Sequence, residues 1–109
     1  MWSISYFSRK VFKEIKSLPG GLKARYLALT EKMQECGPDL GMPHTRFLET
    51  GIFEIRIKGQ EGIARAFFCT QKDKDIMILH SFIKKTQKTP RKELDIARAR
   101  LKEVNKNVK

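Results

Sequence analysis

Two arginines, a histidine and a run of lysines are the residues of this 109-residue chain whose types and spacing could do chemistry. Arg56, in IFEIRIK (52–58), and Arg65, in GIARAFFC (62–69), flank a short GQEG linker, and His80 follows the apolar run DIMIL. Lys84, Lys85, Lys88, Arg91 and Lys92 then crowd the stretch HSFIKKTQKTPRKEL (80–94). If GQEG is a four-residue hairpin loop, Lys58 faces Ile63 and Arg56 faces Arg65 across the pair; a four-residue QKDK loop (71–74) then sets Arg65 opposite His80. One row across three strands would read Arg56, Arg65, His80. The same face continues through Phe82 to Lys84, with Lys85 following at the strand exit. Like charges directly opposed on a sheet are destabilising. Either Glu54, Glu49 or Glu61 neutralises the pair, or the register differs, or the row holds an anion. A phosphate fits the last case. Fixed cations stabilise a scissile phosphate whose charge grows in the transition state, and in plain binding they release counterions from a polyanion. Each residue has a plainer reading beside this one. The lysines of 84–92 would serve as a solvated connector, His80 as a hydrogen-bonded structural residue, and Phe67 and Phe82 as core rather than base-stacking surfaces. Arg65 and Lys84 are expected outside the core.

Such a row needs a sheet beneath it. Residues 2–7, WSISYF, have the β-branched and aromatic content of a short strand. Ser8 is placed to cap a helix in which Val11, Phe12, Ile15 and Leu18 recur at helical spacing until Pro19-Gly20-Gly21 interrupts. Leu22, Tyr26, Leu29 and Met33 form the apolar stripe of a second helix, stopped by Cys36-Gly37-Pro38, so the two predict an α-hairpin. DLGMPHTRF, with its Gly and Pro, reads as a loop entering the sheet. The three runs 52–58, 62–69 and 75–83 are strands whose linkers are too short for anything but an antiparallel meander. Phe53, Ile55 and Ile57 face the core; Glu54, Arg56 and Lys58 face away. Thr89-Pro90 then predicts a helix start with Thr89 as the cap, and Leu94, Ala97, Leu101 and Val104 share one face of a helix that frays in the NKNVK tail. The expected fold is α+β: helices on one face of an antiparallel sheet, the other face partly open. The length predicts a single domain over 1–109.

Composition narrows the partners. The net charge is +11, and it is unevenly spread: +4 over residues 1–37, 0 over 38–79 and +7 over 80–109. A field of this sign attracts polyanions: nucleic acid, a ribosome, an anionic membrane or an acidic partner. Cys36 and Cys69 stand 33 positions apart. No second Cys or His lies at metal spacing, which argues for reduced thiols and against zinc or disulfides. No run reaches the length of a membrane span and no signal-peptide pattern opens the chain, so a cytoplasmic location is expected.

Beside these readings, LETGIFEIRI (48–57), ARAFF (64–68) and above all ILHSFIKKTQKTPRKELDIARAR (78–100) resemble the RelE/HigB-like toxins of bacterial type II toxin–antitoxin modules, in particular their phage-derived branch. The resemblance covers essentially the whole chain. It implies a RelE fold and a metal-independent, cofactor-free endoribonuclease that enters the ribosomal A site and cuts mRNA by attack of the 2′-hydroxyl on the adjacent phosphate. It also implies restraint by a cognate antitoxin with a helix-turn-helix domain, in a hetero-oligomeric complex. By position, Arg56 and Arg65 would hold the phosphate, Lys84 or Lys85 would assist at the leaving group, and Glu54 and His80 would take proton-transfer roles. Lys58, Lys88, Arg91 and Lys92 would contact RNA. A C-terminal tyrosine important in some members has no counterpart, since Tyr6 and Tyr26 are both N-terminal. Two further uses of the chain stay open: a ParE-like inhibitor of DNA gyrase on the same fold, and a basic nucleic-acid-binding module without catalysis.

Overall fold

The computed structural model describes residues 1–106. In chain order the elements are β1 (Ser3–Tyr6), α1 (Arg9–Lys16), α2 (Gly20–Cys36), β2 (Thr45–Glu49), β3 (Ile52–Gly59), β4 (Gly62–Gln71), β5 (Asp75–Ile83) and α3 (Arg91–Lys106). The five strands form one sheet in the order β1-β5-β4-β3-β2. As the short linkers require, β3, β4 and β5 form an antiparallel meander. Two features depart from the expected antiparallel, four-stranded sheet. β1 pairs parallel to β5, which the intervening two helices and meander permit. The TRFLE segment at the end of the expected loop is an edge strand, β2, antiparallel to β3.

Local chemistry explains the helix boundaries. Ser8 Oγ accepts the Val11 amide at 3.3 Å, satisfying one of the donors that a helix start leaves unpaired. Pro19 provides no side-chain cap to α2; instead Glu61, on the β3–β4 turn, accepts the Leu22 amide at 3.1 Å. A carboxylate at this helix end also meets the positive pole of the helix dipole. At the other end, Gly37 sits at φ +102°, a conformation that a side chain would strain, and its amide closes on the Met33 carbonyl. α3 starts one residue later than Thr89-Pro90 suggested. Pro90 occupies the cap position, and its carbonyl accepts from the Glu93 and Leu94 amides. The helix then runs through Lys106; the rest of the tail expected to fray lies outside the described residues.

Both faces of the sheet are packed. On one, Val11 and Ile15 of α1 and Leu22, Tyr26, Leu29 and Met33 of α2 cover Ile55, Ile57, Ala64, Ala66, Phe68, Ile76 and Ile78. α1 lies mainly over β5 and β1, and α2 mainly over β3, so each helix is held by the sheet. Burying each of these large apolar side chains contributes about 1.5–3 kcal/mol. Tyr26 is wholly buried, and its hydroxyl meets that of Tyr6 at 2.8 Å, which keeps the phenol satisfied within the core. Phe12 is the exception in the α1 stripe: it is 41% exposed, edge-on to Tyr6 and under the Lys16 ammonium.

The second face is not left open along its whole length. α3 packs there, with Ala97 and Val104 buried and Leu94 and Leu101 alongside, against Ile52, Phe67, Cys69 and Leu79. Polar clamps fix its position. Arg98 grips Glu49 through Nε and Nη2 at 2.7–3.2 Å, and this holds the Glu49 carboxyl below its usual range. What remains uncovered is the part of the face that carries Arg46, Arg56, Arg65 and Lys84.

The thiols follow from this packing. Cys36 is exposed, while burial beneath α3 pushes the Cys69 thiol up to about 11. A thiol-alkylating reagent at neutral pH should therefore add one label to the folded chain, at Cys36, and two after denaturation, as read by intact mass. Among the described residues no helix is long and apolar enough to cross a membrane.

Candidate functional site

Strand register sets the site. Arg56 pairs with Arg65 and Lys58 with Ile63, as the hairpin argument required. β2 adds a neighbour that the loop reading of its sequence concealed: Arg46 pairs with Glu54. On the β5 side the expected row changes. The turn after Gln71 is one residue shorter than proposed, and a bulge at Leu79 makes Phe67 face His80 while Phe68 faces Ile78. The two shifts add to two residues, so His80 keeps its face but moves one pair towards α3. Arg65 faces Phe82 instead. This face of the sheet thus carries two adjacent rows, Arg46-Glu54-Phe67-His80, which ends beneath α3, and Arg56-Arg65-Phe82.

Of the three carboxylates that could neutralise the opposed arginines, Glu54 is the one that does. Glu49 is taken by Arg98, and Glu61 caps α2. Glu54 is 1% exposed and lies 3.3 Å from Arg46 Nε, 3.8 Å from Arg56 Nε and 3.7 Å from Arg65 Nε. Three guanidinium groups therefore converge on a single buried carboxylate. The contacts to Arg56 and Arg65 are ion pairs too long to be hydrogen bonds. Glu54 Oε2 and Arg65 Nε are both buried without a hydrogen-bond partner.

Arg65 is 4% exposed rather than at the surface, anchored by Nη1 donating to the Ala64 carbonyl at 3.2 Å. Burial pulls its guanidinium pKa down and the nearby Glu54 resists, with Arg56 and Arg46 adding to the downward pull. The group stays a cation in any case, because an arginine starts so high. A buried, incompletely bonded cation is poised to accept an anion.

Two grooves meet over it. One, of about 520 Å³, is lined by Arg25, Pro43, His44, Arg56, Lys58, Ile63 and Arg65. The other, of about 410 Å³, is lined by Arg56, Ile63, Arg65, Lys84, Lys85, Thr86 and Gln87. They share Arg56, Ile63 and Arg65, so a strand of phosphates could run from Lys58 past the arginines to Lys84 and Lys85. The Lys84 amide donates to the Ile63 carbonyl at 2.7 Å, which ties the start of the lysine connector to the hairpin. Burial, and after it the Arg65 charge, hold the Lys84 ammonium below the usual lysine range; Arg56 and Arg46 act the same way, and Glu54 opposes them.

The remaining candidates fall elsewhere. His80 is 6% exposed and stacked on Phe82, with both ring nitrogens engaged: Nε2 lies 2.7 Å from Glu93 Oε1 and Nδ1 3.4 Å from Arg100 Nη1. A guanidinium only donates, so Nδ1 accepts and Nε2–H donates to Glu93. Arg100 also donates to the Leu79 carbonyl at 2.7 Å. His80 thus fastens α3 to the sheet, the plainer of its two readings. Phe67 is fully buried, whereas Phe82 keeps part of its surface. Lys88, Arg91 and Lys92 are exposed on the connector and the first turn of α3, and among the described residues neither they nor Lys58 pairs with a carboxylate. His44 reaches Arg25 at 3.4 Å across the first groove. Arg25, Arg46 and His44 are site-lining residues that the sequence reading passed over. The run TRFLE (45–49) does not alternate, so no period-two signal marked Arg46.

Comparison with known proteins agrees with this architecture. The family described as "Phage derived protein Gp49-like (DUF891)" matches residues 13–102. Among solved structures, a chain of the archaeal RelE-RelB complex from Pyrococcus horikoshii OT3 is similar at 23% identity and a TM-score of 0.57, over 75% of this chain and 93% of that one. A free-state mutant of the E. coli toxin RelE is similar at 11% identity and a TM-score of 0.55, over 94% of this chain and 97% of that one. At these identities the likeness is one of fold. No curated protein matches significantly. The family match spans most of the chain, and the fold is similar to that of solved RelE chains: the protein belongs to the phage-derived Gp49-like family and has the RelE-like toxin fold.

Proposed function

We propose that this protein is the toxin of a type II toxin–antitoxin module and acts as a ribosome-dependent endoribonuclease that cuts mRNA in the A site. The observation that carries this reading is the buried Arg65, its Nε without a hydrogen bond, at the floor of a cationic groove where Arg56, Lys84 and Lys85 converge. RNA supplies its own nucleophile: the 2′-hydroxyl gives its proton to solvent water and attacks the adjacent phosphorus, the bond to the 5′-oxygen breaks, and a cyclic phosphate and a 5′-hydroxyl end result. The protein then has three tasks. It must balance the charge gathering on the phosphate, hold the hydroxyl in line with the leaving oxygen, and return a proton to that oxygen. Arg56 and Arg65 take the first task. Lys84, held below the usual lysine range, is the proton donor at the leaving oxygen, with Lys85 beside it. Glu54 keeps the guanidinium groups in place before RNA arrives. Lys58, Lys88, Arg91 and Lys92 extend the track for flanking phosphates. The protein's partners in this reading are the ribosome, mRNA and a cognate antitoxin with a helix-turn-helix domain; one solved chain of similar fold was crystallised in a RelE-RelB complex. The proposed site of action is the cytoplasm.

Expression of the chain should halt growth and translation, and co-expression of its cognate antitoxin should restore both. Broken DNA and an SOS response with translation intact would instead identify a gyrase poison. RNA binding with no growth arrest would leave only a binding module.

The lowered Lys84 pKa makes a pH prediction. As pH rises, Lys84 loses its proton before an ordinary lysine at about 10.4 does. Cleavage should therefore decline on an alkaline limb below that range. Lys84→Arg, charged throughout, should abolish the limb while lowering the plateau, because arginine does not give up a proton there. A pH–rate profile in which the limb survives the substitution would assign it to another group.

A further inference from the structure

The groove on the β2 side of the arginine pair holds two residues that the cleavage chemistry leaves unused. Arg25 is exposed on α2, and His44 is half-buried in the loop before β2; Arg25 Nη2 lies 3.4 Å from His44 Nδ1. A guanidinium only donates, so Nδ1 accepts from one of the five N–H groups of Arg25 and four are left. Among the described residues the Arg25 side chain makes no ion pair and no second hydrogen bond.

The backbone holds His44 from both sides. Its amide donates to the Gly41 carbonyl at 2.9 Å, and its carbonyl accepts the Arg56 amide at 2.8 Å, so the residue is fixed to β3 next to the arginine pair. Pro43 and Ile63 give the groove apolar surface of the kind that the face of a flat ring needs, and no acidic side chain lines it. The proposed reaction places Lys84, in the other groove, at the leaving 5′-oxygen. Attack and departure run in line through the phosphorus. The nucleotide that carries the attacking 2′-hydroxyl therefore lies across the arginine pair from Lys84, in the groove of Arg25 and His44.

We propose that this groove reads the base upstream of the cut and selects guanine. Arg25 donates through two N–H groups to O6 and N7, and His44 holds the guanidinium at the angle this requires. Unstacked bases of single-stranded RNA offer that edge freely. Guanine presents two acceptors there. Adenine sets an amino donor beside N7, and cytosine and uracil have no N7. With no carboxylate in the groove, the N1–H and amino group of guanine have no side-chain acceptor and turn to water. The inference rests on the nuclease reading only for which nucleotide lies in the groove.

The test titrates the full chain, without ribosomes, with the 3′-monophosphates of guanosine, adenosine, cytidine and uridine. The guanosine nucleotide should bind about tenfold tighter than the other three, the discrimination of one bidentate base contact. Its inosine analogue, which keeps O6 and N7, should match it; the 7-deazaguanosine analogue, which lacks N7, should bind like the other three. Arg25→Lys keeps the charge and loses the fork, so with an unchanged melt it should bind the four nucleotides alike. His44→Ala, which releases the fork, should lose most of the preference. Equal binding of the four by the parent chain overturns the proposal. So does an inosine nucleotide that binds like the weak three, because the guanine amino group would then be what is read. On programmed ribosomes, cuts should follow guanine about tenfold faster than other bases; intact mRNA there overturns the nuclease reading, while the nucleotide titration still decides the guanine site.

Discussion

Replacing Arg65 by alanine should lower the rate of mRNA cleavage by about two to three orders of magnitude, the effect of removing one fixed donor from a site that stabilises developing charge. The magnitude rests on burial. Arg65 is held by its own backbone and by Glu54 in a place that water barely reaches, so its charge acts through a weak dielectric screen and needs no reorganisation when phosphate arrives. Arg65→Lys keeps the charge but loses the planar fork and should recover only part of the rate. Stability should change less than activity, since Glu54 retains Arg46 and Arg56 after the substitution. Single-turnover rates of the two variants on programmed ribosomes, beside their melts, would measure both. Wild-type rates in a folded Arg65→Ala protein would remove Arg65 from the site.

Glu54→Ala should do the reverse and act first on the fold. Glu54 is the one anion among three cations, so its loss leaves Arg65 buried without a counterion and beside two like charges. Breaking a buried pair from one side costs about 3 kcal/mol or more. In a domain of this size that corresponds to a drop in Tm of roughly 10–20 °C. Inorganic phosphate should restore more of the Tm in Glu54→Ala than it adds to the parent, because the vacated arginines bind it and only the native state assembles them. A variant that melts with the parent, or gains nothing from phosphate, would mean that the arginines do not need Glu54.

The part of the site that rests on period-two alternation was legible in the sequence. IFEIRIK and GIARAFFC, with a short linker between them, determine both the face and the Arg56–Arg65 pairing. Three other features left weaker marks. β2 is five residues long, follows Gly41 and Pro43, and lies at an edge, so Arg46 was hidden in what read as a loop. The bulge at Leu79 has no sequence signature, and with the shorter turn it carried His80 away from Arg65 to Glu93 and Arg100. The Leu94-Ala97-Leu101-Val104 stripe announced a packed helix, but a stripe does not say which face of a sheet it covers. That choice came from apolar Ile52, Phe67, Cys69 and Leu79 on the face otherwise taken for open. Burial was misjudged at Arg65 for a related reason: the same strand position is exposed or buried according to what β2 and the Lys84 connector place over it.

In the proposed function, the arginine groove cuts RNA on the ribosome. Its most direct test is to map fragment ends after the purified chain is added to ribosomes stalled on a defined mRNA. Cuts are expected within the A-site codon that leave a 5′-hydroxyl on the downstream fragment and need both the ribosome and Arg65. Intact mRNA in that assay, while expression of the same chain still arrests growth, would contradict it.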